Sequence, residues 1–261
     1  MIHSTAIIGE NTKIAESAKI GAYAIIGSNV VIGEDVVVEE HAKICSHSIV
    51  ENNCRICSFT TIGGDPQDLH FDTATVSGAI IGENSVIREG STVHRATKPN
   101  EFTRIGKNCL FMANSHVAHD CQISDNVIIA CFAAIGGHAK IGKNTFVSGG
   151  VMVHQNCKIG EGAMLSGNSA FSENVPPYVN GTLRNTVRGL NLIGLMRRGC
   201  PRASIANLKE LYTFIFVKSK SIKANAQEAK KLGMAKTPEG ENFLNFILEN
   251  GERPIAQHGL K

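Results

Sequence analysis

The sequence predicts an all-β, left-handed parallel β-helix of hexapeptide repeats, followed by a C-terminal α-helical domain. Apolar residues recur at every sixth position from Ile2 to Phe171, which is the signature of a solenoid whose short strands stack in coils. After about residue 186 the spacing changes to the three and four residues of amphipathic helices. We therefore assign residues 1–180 to the β-helix domain and residues 181–261 to the helical domain.

The repeat keeps its period over most of the first domain. Three hexads would close one triangular coil, and coils would stack about 4.8 Å apart. β-Branched side chains suit such a packed, pleated surface. Hexapeptide coils wind left-handed in known families, although the period alone does not fix the hand. The apolar positions are Ile2, Ile8, Ile14, Ile20, Ile26, Ile32, Val38, Ile44, Val50, Ile56, Ile62, Ile81, Ile87, Val93, Ile105, Phe111, Val117, Ile123, Ile129, Ile135, Ile141, Val147, Val153, Ile159, Leu165 and Phe171.

Two segments interrupt the coils. Residues 63–80 break the register, and we predict a loop there that carries Gln67, Asp68 and His70. Loops that leave a rigid scaffold often carry function. Residues 96–103 form a smaller excursion that keeps the phase of the repeat.

The repeat is predicted to end at Pro176, because proline cannot donate to a strand ladder. Residues 180–190 are interpreted as a connecting loop. Apolar residues from Ile205 to Phe216 lie on one helical face, and residues 221–233 and 239–250 are interpreted as further helices, the last capped near Thr237. Such helices can cover the open end of a solenoid.

The amino-acid composition indicates the cellular compartment and the type of binding partner. The eight cysteines include a single CxxC motif, Cys54 to Cys57, which is half of a four-thiolate zinc site. We therefore expect free thiols in a reducing cytoplasm, with no signal peptide and no membrane-spanning segment. The net charge of +3 divides unevenly: residues 1–183 carry 12 basic and 17 acidic groups, and residues 184–261 carry 14 and 6. The basic C-terminal part suits an acidic partner or an anionic substrate, or is only a solvated surface.

Four histidines are predicted to share one edge of the prism. Division of the residue number by the eighteen residues of a coil leaves remainders of 8 for His116, 11 for His119, 12 for His138 and 10 for His154. Gly137 also leaves 11, so its N–H would lie in line with His119, one coil away. We interpret this row as a site.

The chemistry predicted for this site is acid–base catalysis. Imidazole titrates near neutral pH and suits a general base, and Asp120 could orient the ring of His119. No serine or cysteine nucleophile accompanies the row, so attack by an activated substrate hydroxyl is the simplest reaction. Three alternatives are a solvated row of surface histidines, a zinc site as in γ-class carbonic anhydrases, and a structural or ice-binding solenoid. The last would present regular threonine or charged ladders instead of histidines and loops.

At these residues the chain resembles the acyl-carrier-protein-dependent UDP-N-acetylglucosamine O-acyltransferases of lipid A (lipopolysaccharide) biosynthesis. The resemblance covers essentially the whole chain. It rests on the coils and on the motifs Pro66-Gln-Asp-Leu69, Val93-His-Arg95, Asn114-Ser-His-Val-Ala-His-Asp-Cys121, Gly136-Gly-His138, Val153-His-Gln155, Val175-Pro-Pro-Tyr178, Gly189-Leu-Asn191 and Arg197-Arg-Gly199.

The resemblance implies residue roles. His119 would be the general base that deprotonates the sugar 3-hydroxyl, which attacks the thioester of a 3-hydroxyacyl chain on acyl carrier protein. Asp120 would orient His119, and the Gly137 N–H would stabilise the oxyanion. Gly167 matches a position that limits acyl-chain length, and a glycine there predicts a long chain of about fourteen carbons. The implied substrate-binding positions are Gln67, Asp68, His70, His116, His138, Gly149, His154, Gln155, Asn191, Arg197 and Arg198.

The resemblance also implies a homotrimer with sites between subunits, no metal or other cofactor, and no nucleic-acid partner. Three departures lie on the acceptor side: His70 where many members have lysine, Ile193 where many have glutamate, and Leu183-Arg-Asn185 in place of a Gly-Asn pair. They leave open the 3-amino sugar analogue, which would give an amide. The amine-acylating enzyme of the same pathway carries an extra N-terminal domain, whereas coils begin here at Ile2, so we do not expect that activity.

Overall fold

In the computed structural model, which describes residues 1–217, 221–251 and 253–259, the chain winds into a left-handed prism of three parallel sheets. Sheet one consists of β1 (Ile7–Ile8), β4 (Ile25–Ile26), β7 (Lys43–Ile44), β10 (Thr61–Gly64), β13 (Thr92–His94), β16 (His116–Val117), β19 (Ala134–Ile135), β22 (Met152–Val153) and β25 (Ala170–Phe171). Sheet two consists of β2 (Lys13–Ile14), β5 (Val31–Ile32), β8 (Ile49–Val50), β11 (Gly78–Ile81), β14 (Phe102–Ile105), β17 (Gln122–Ile123), β20 (Lys140–Ile141) and β23 (Lys158–Ile159).

Sheet three continues past the repeat into the C-terminal part. It consists of β3 (Lys19–Ile20), β6 (Val37–Val38), β9 (Arg55–Ile56), β12 (Val86–Ile87), β15 (Leu110–Phe111), β18 (Ile128–Ile129), β21 (Phe146–Val147), β24 (Met164–Leu165), β26 (Val179–Thr182), β27 (Thr186–Leu190) and β28 (Gln257–His258). We call the turns from sheet one to sheet two the first edge, those from sheet two to sheet three the second edge, and those from sheet three to sheet one the third edge.

The repeat positions form the core, as the period predicted. From Ile20 to Phe171 each is at most 3% exposed. The first coil differs, because Ile2 is 48% and Ile8 37% exposed. Among the described residues, none covers the inward faces of these two side chains, which are therefore open to solvent.

Residues 65–77 form the insertion loop, which projects from the first edge between β10 and β11. Both flanking strands are four residues long, where most strands of the prism have two. They are longer because β10 pairs with β13 and β11 pairs along its whole length with β14.

The interpretation of residues 180–190 as a connecting loop is wrong. These residues form the antiparallel hairpin β26–β27, and β26 adds to sheet three by pairing in parallel with β24. Leu183 and Asn185 adopt φ values of 52° and 50° in the turn. Leucine is uncommon in that left-handed region, so Leu183 is not a residue from which a turn would be predicted.

In the part of the chain that the structure describes, four helices follow the hairpin: α1 (Leu192–Arg197), α2 (Arg202–Phe216), α3 (Ile222–Lys231) and α4 (Pro238–Leu248). The predicted apolar face of α2 is buried from Leu208 to Phe216. The predicted cap of α4 is confirmed, because the Thr237 hydroxyl accepts from the Gly240 N–H at 3.2 Å.

The eight cysteines are all free. Burial raises the pKa of both Cys54 and Cys57 to about 11, so both remain protonated and poor metal ligands near neutral pH. Among the described residues, no helix has the length and apolar character needed to span a bilayer.

Candidate active site

His119 and Asp120 form a hydrogen-bonded pair in the first-edge turn between β16 and β17. His119 Nδ1 lies 2.7 Å from Asp120 Oδ2, and the two side chains are only 16% and 8% exposed. A carboxylate can only accept, so Nδ1 carries the proton and donates it. His119 Nε2 is then left with its lone pair available to a substrate.

Asp120 is held in place by two threonines, neither of which was among the predicted site residues. The Thr97 hydroxyl donates to Asp120 Oδ2 at 2.8 Å, and the Thr97 N–H donates to Oδ1 at 3.1 Å. The Asp120 N–H in turn donates to Thr103 Oγ1 at 2.8 Å. Burial opposes ionisation of Asp120, but the hydrogen bonds from His119 and Thr97 outweigh it and hold the pKa below its usual range. The carboxylate is therefore charged and immobile at neutral pH.

Gly137 lies directly against the His119 ring. A Cβ atom at Gly137 would lie 2.6 Å from His119 Cε1 and 2.7 Å from Nε2. Only glycine allows this approach, since real Cβ atoms do not come within 3 Å of such neighbours. Among the described residues, none accepts a hydrogen bond from the Gly137 N–H, so this backbone donor is available to a substrate.

His138 completes this cluster, with its ring edge-on to His119 at 5.1 Å between centroids. Donor atoms of His119, Asp120 and His138 all lie within 4.8 Å of one another, close enough to consider a metal ion. However, Asp120 Oδ2 already accepts hydrogen bonds from His119 and Thr97. The donor set also holds only two histidines, whereas a three-histidine zinc site needs one more. The hydrogen bonding of this group therefore suits acid–base chemistry better than a metal.

A second pair of histidines lies on sheet one. His116 Nδ1 is hydrogen bonded to Thr92 Oγ1 at 2.7 Å, and its ring meets that of His94 at 4.7 Å. His94 is 8% exposed, and its Nδ1 has no hydrogen-bond partner among the described residues. Burial lowers the pKa of His94 to about 4 and also lowers that of His116. Both rings are therefore neutral at neutral pH. His94 was not among the predicted site residues, although it lies in the motif Val93-His-Arg95.

An apolar groove of about 260 Å³ runs over the outer face of sheet one from His116. Its floor is built by small or flexible side chains on successive coils. His154 lines this groove, and its ring contacts the carbonyl of Gln155 at 3.2 Å. The lining includes His116, Ala134, Met152, His154, Ala170 and Arg184.

The insertion loop brings Gln67, Asp68 and His70 to the first edge, all exposed. The His70 N–H donates to Asp68 Oδ1 at 2.9 Å. This backbone hydrogen bond is the main cause of a lowered pKa for Asp68, and His119 is near enough to contribute. The loop therefore presents a charged carboxylate towards the histidine cluster.

Other predicted site residues lie elsewhere in the chain. Asn191 caps α1 at the second edge, where its Oδ1 accepts from the Gly194 N–H and its Nδ2 donates to the Gly162 carbonyl, each at 3.0 Å. Arg197 and Arg198 end this helix and are exposed. Gly149 and Gly167 stack on the third edge, and a Cβ at Gly167 would lie 3.3 Å from the Gly149 carbonyl. Within one chain, these groups are not joined to His119 by any contact among the described residues.

The sequence of this chain is similar to those of known proteins. The family described as Udp N-acetylglucosamine O-acyltransferase, Domain 2, matches residues 174–256, and bacterial transferase hexapeptide repeats match residues 1–33 and 102–137. A Campylobacter concisus protein named acyl-(acyl-carrier-protein)–UDP-N-acetylglucosamine O-acyltransferase is 36% identical over 253 residues, which cover 95% of this chain and 94% of that protein.

Solved structures agree in fold and length. The UDP-N-acetylglucosamine acyltransferase of Francisella novicida superposes with a TM-score of 0.93 at 34% identity, covering 99% of this chain and 94% of that one. The enzyme of the same name from Campylobacter jejuni gives 0.92 at 33% identity, covering 99% and 100%.

Proposed function

The chain belongs to the family of acyl-(acyl-carrier-protein)–UDP-N-acetylglucosamine O-acyltransferases, and on this premise we propose that it acylates the 3-position of UDP-N-acetylglucosamine with His119 as general base. The reaction is the first step of lipid A biosynthesis. The observation that carries this proposal is the His119–Asp120 pair, whose ring lies against Gly137, a residue whose N–H has no acceptor among the described residues. A base and an oxyanion donor are then available to the same reacting centre.

The sequence of bond changes follows from this arrangement. His119 Nε2 removes the proton of the sugar 3-hydroxyl as its oxygen attacks the thioester carbonyl. The carbonyl oxygen becomes an oxyanion and accepts the N–H of Gly137, an interaction worth roughly 3 kcal/mol in comparable sites. Collapse of this intermediate breaks the carbon–sulfur bond, and protonated His119 returns its proton to the leaving thiolate. Asp120 stabilises the imidazolium between these steps.

The remaining positions serve substrate binding. Gln67, Asp68 and His70 on the insertion loop, with His116, His138, His154 and Gln155, face the acceptor or the acyl chain. The apolar groove beside His116 suits a hydrocarbon, because small side chains floor it. Gly167 leaves room, so we expect a 3-hydroxyacyl chain of about fourteen carbons. A strict preference for about ten carbons would contradict this expectation.

We further propose a homotrimer whose sites lie between neighbouring subunits. Asn191, Arg197, Arg198 and Gly149 stand on edges away from His119, and a second chain would bring such residues to the histidine edge. The basic C-terminal part, 14 basic against 6 acidic residues, suits the docking of an acidic carrier protein, a steering effect that salt weakens. The free cysteines fit a reducing cytoplasm, and the reaction needs no metal.

The identity of the acceptor is the second question. His70 is exposed and held at Asp68, Ile193 is 61% exposed on α1, and Leu183–Asn185 form the hairpin turn. These departures favour testing the 3-amino analogue beside the ordinary sugar. His119 could deprotonate either nucleophile.

The decisive experiment measures acyl transfer by the purified protein from 3-hydroxyacyl carrier protein to each UDP-sugar in parallel, with and without chelator. His119→Ala should abolish transfer. His41→Ala is the matched control. His41 lies in a turn of the third edge, where its ring stacks between those of Tyr23 and Phe59, remote from the site. Transfer only to the amino sugar would reassign the acceptor, and transfer to neither would reject the proposal.

A further inference from the structure

Arg95 is an almost buried arginine that the proposed chemistry leaves without a role. It follows β13 on sheet one, and its side chain is 11% exposed. Its Nε donates to Asp65 Oδ1 at 2.8 Å, and its two terminal nitrogens donate to the carbonyls of Thr75 and, at 3.0 Å, Thr73. The guanidinium also lies 4.8 Å from the centre of the Phe71 ring. Arg95 therefore contacts both ends and the middle of the insertion loop.

At the end of the loop, the Val76 carbonyl accepts from the Asn100 N–H at 2.8 Å, and the Ser77 hydroxyl donates to the Ala96 carbonyl at 2.6 Å. Residues 65–75 are otherwise joined by short-range hydrogen bonds. The Phe71 N–H donates to the Asp68 carbonyl at 3.1 Å, and the Thr75 N–H donates to the Asp72 carbonyl at 3.0 Å. Among the described residues, the hydrogen bonds that join residues 65–75 to the remainder of the fold all end at Arg95. The position of residues 65–75, which include Gln67 and Asp68, thus depends mainly on the Arg95 side chain.

We propose that Arg95 is a positioning residue that fixes the insertion loop so that Gln67 and Asp68 meet the acceptor sugar nucleotide. The claim about substrate rests on the proposed function, whereas the claim about the loop does not. The residue type matters, because a guanidinium offers five donors in a rigid planar fork. A lysine would keep the charge but could not reach three acceptors and stack on Phe71 at once.

Distance from the chemistry predicts which kinetic constants change. Arg95 touches neither His119 nor Asp120, so loss of the fork should leave the base and its pH profile intact. The loop would instead sample many positions, and each bound acceptor would have to order it again. We expect the KM for the UDP-sugar to rise at least about tenfold in Arg95→Met and Arg95→Lys, with little change in the KM for acyl carrier protein.

Two measurements test this inference. The first is amide hydrogen exchange of residues 65–75 in the free protein, which should quicken in both Arg95 variants while the coils stay protected. The second is the pair of KM values together with the pH profile of kcat. Arg88→Met is the matched control, because Arg88 forms a two-contact ion pair with Glu89 on the coil and does not touch the loop.

The outcomes separate the alternatives. Unchanged exchange in the loop would overturn the inference, as would a lysine variant that behaves like the wild type, because charge alone would then suffice. Faster exchange with an unchanged KM for the UDP-sugar would overturn the link to the acceptor. If the wild-type protein transfers no acyl chain, the proposed function fails, and the exchange data still decide whether Arg95 holds the loop.

Discussion

At the scale of single residues, the site depends on the contact between His119 and Gly137. The two residues are eighteen apart in sequence and lie on adjacent coils, where a side chain at position 137 would overlap the imidazole. The base and the oxyanion donor are therefore positioned by the same contact. A displacement of about 1 Å at a reacting centre can cost two orders of magnitude in rate.

Gly137→Ala should therefore lower kcat by about 100-fold or more, because the new methyl group pushes the His119 ring out of line. It should also destabilise the protein, and a double-mutant cycle identifies the cause. In the His119→Ala background the ring is gone, so adding Gly137→Ala should cost much less free energy of unfolding. An equal cost in both backgrounds would show that the methyl group collides with something else.

Titration of His94 should make the stability of the protein depend on pH. Its folded-state pKa of about 4 lies below the usual value of 6.5, so between these pH values the unfolded chain binds a proton that the folded chain does not. Stability is therefore lost as the pH falls through 6.5 towards 4. The loss between pH 7 and pH 5 should be about 2 kcal/mol for this residue.

Urea unfolding at pH 7 and pH 5 measures this loss. His94→Phe keeps a ring against His116 but cannot titrate, so its stability should fall less than that of the wild type. His41→Gln removes an exposed histidine and should leave the wild-type difference unchanged. The same pH dependence in His94→Phe and in the wild type would contradict the assignment.

Periodicity explains which site residues could be predicted. His119, Gly137 and His138 lie in turns of regular coils, so dividing residue numbers by eighteen was enough to bring them to one edge. His116, which was predicted on the same edge, lies on the adjoining strand β16. Thr97 lies in a segment of irregular backbone between β13 and β14, and no period gives its side chain a direction. Its hydrogen bonds to Asp120 emerge only from the folded backbone.

At the scale of elements, the helices were predictable because their apolar faces and the cap at Thr237 are local signals. The hairpin β26–β27 was not, since its pairing with β24 is a long-range contact and Leu183 is no turn signal. The insertion loop was located by the break in register, but its attachment to Arg95 had no counterpart in the pattern. Local features can be predicted from the sequence where the structure repeats, whereas contacts between irregular segments cannot.

Asn207 connects α2 to the segment before α4, and substituting it measures how much this connection contributes to stability. Its Nδ2 donates to the Met234 carbonyl at 2.7 Å, its Oδ1 accepts from the Lys236 N–H at 2.8 Å, and the residue is 5% exposed. Asn207→Ala removes both of these hydrogen bonds to part-buried backbone groups, which should cost about 1–3 kcal/mol in total. Asn245→Ala, on the exposed face of α4, should change the free energy of unfolding by less than about 0.5 kcal/mol. Similar values for both variants in urea unfolding would show that the segment before α4 does not depend on Asn207.

At the scale of the whole molecule, the distribution of the predicted site residues over three edges is the main feature. His119 lies on the first edge, Gly167 on the third, and Arg198 packs against Gly162 on the second. A rigid prism cannot bring its own edges together, because the packed core resists deformation. A site that uses all of these residues therefore needs more than one chain, and in a closed ring each interface repeats the same contact.

Subunit mixing decides whether the site is shared. His119→Ala should be inactive, and Arg198→Ala should be strongly impaired if the arginine binds the nucleotide. When the two variants are co-expressed with different tags and purified through both, a His119 from one chain can meet an Arg198 from the other. In the proposed trimer, every ring that contains both variants has one interface of three with wild-type composition, so activity should return to about one third of the wild-type level. If each site belonged to one chain, every site would carry one of the two substitutions, and mixing would restore nothing.

His119→Ala mixed with His138→Ala is the control, because these residues touch within one chain and no mixed interface can combine an intact pair.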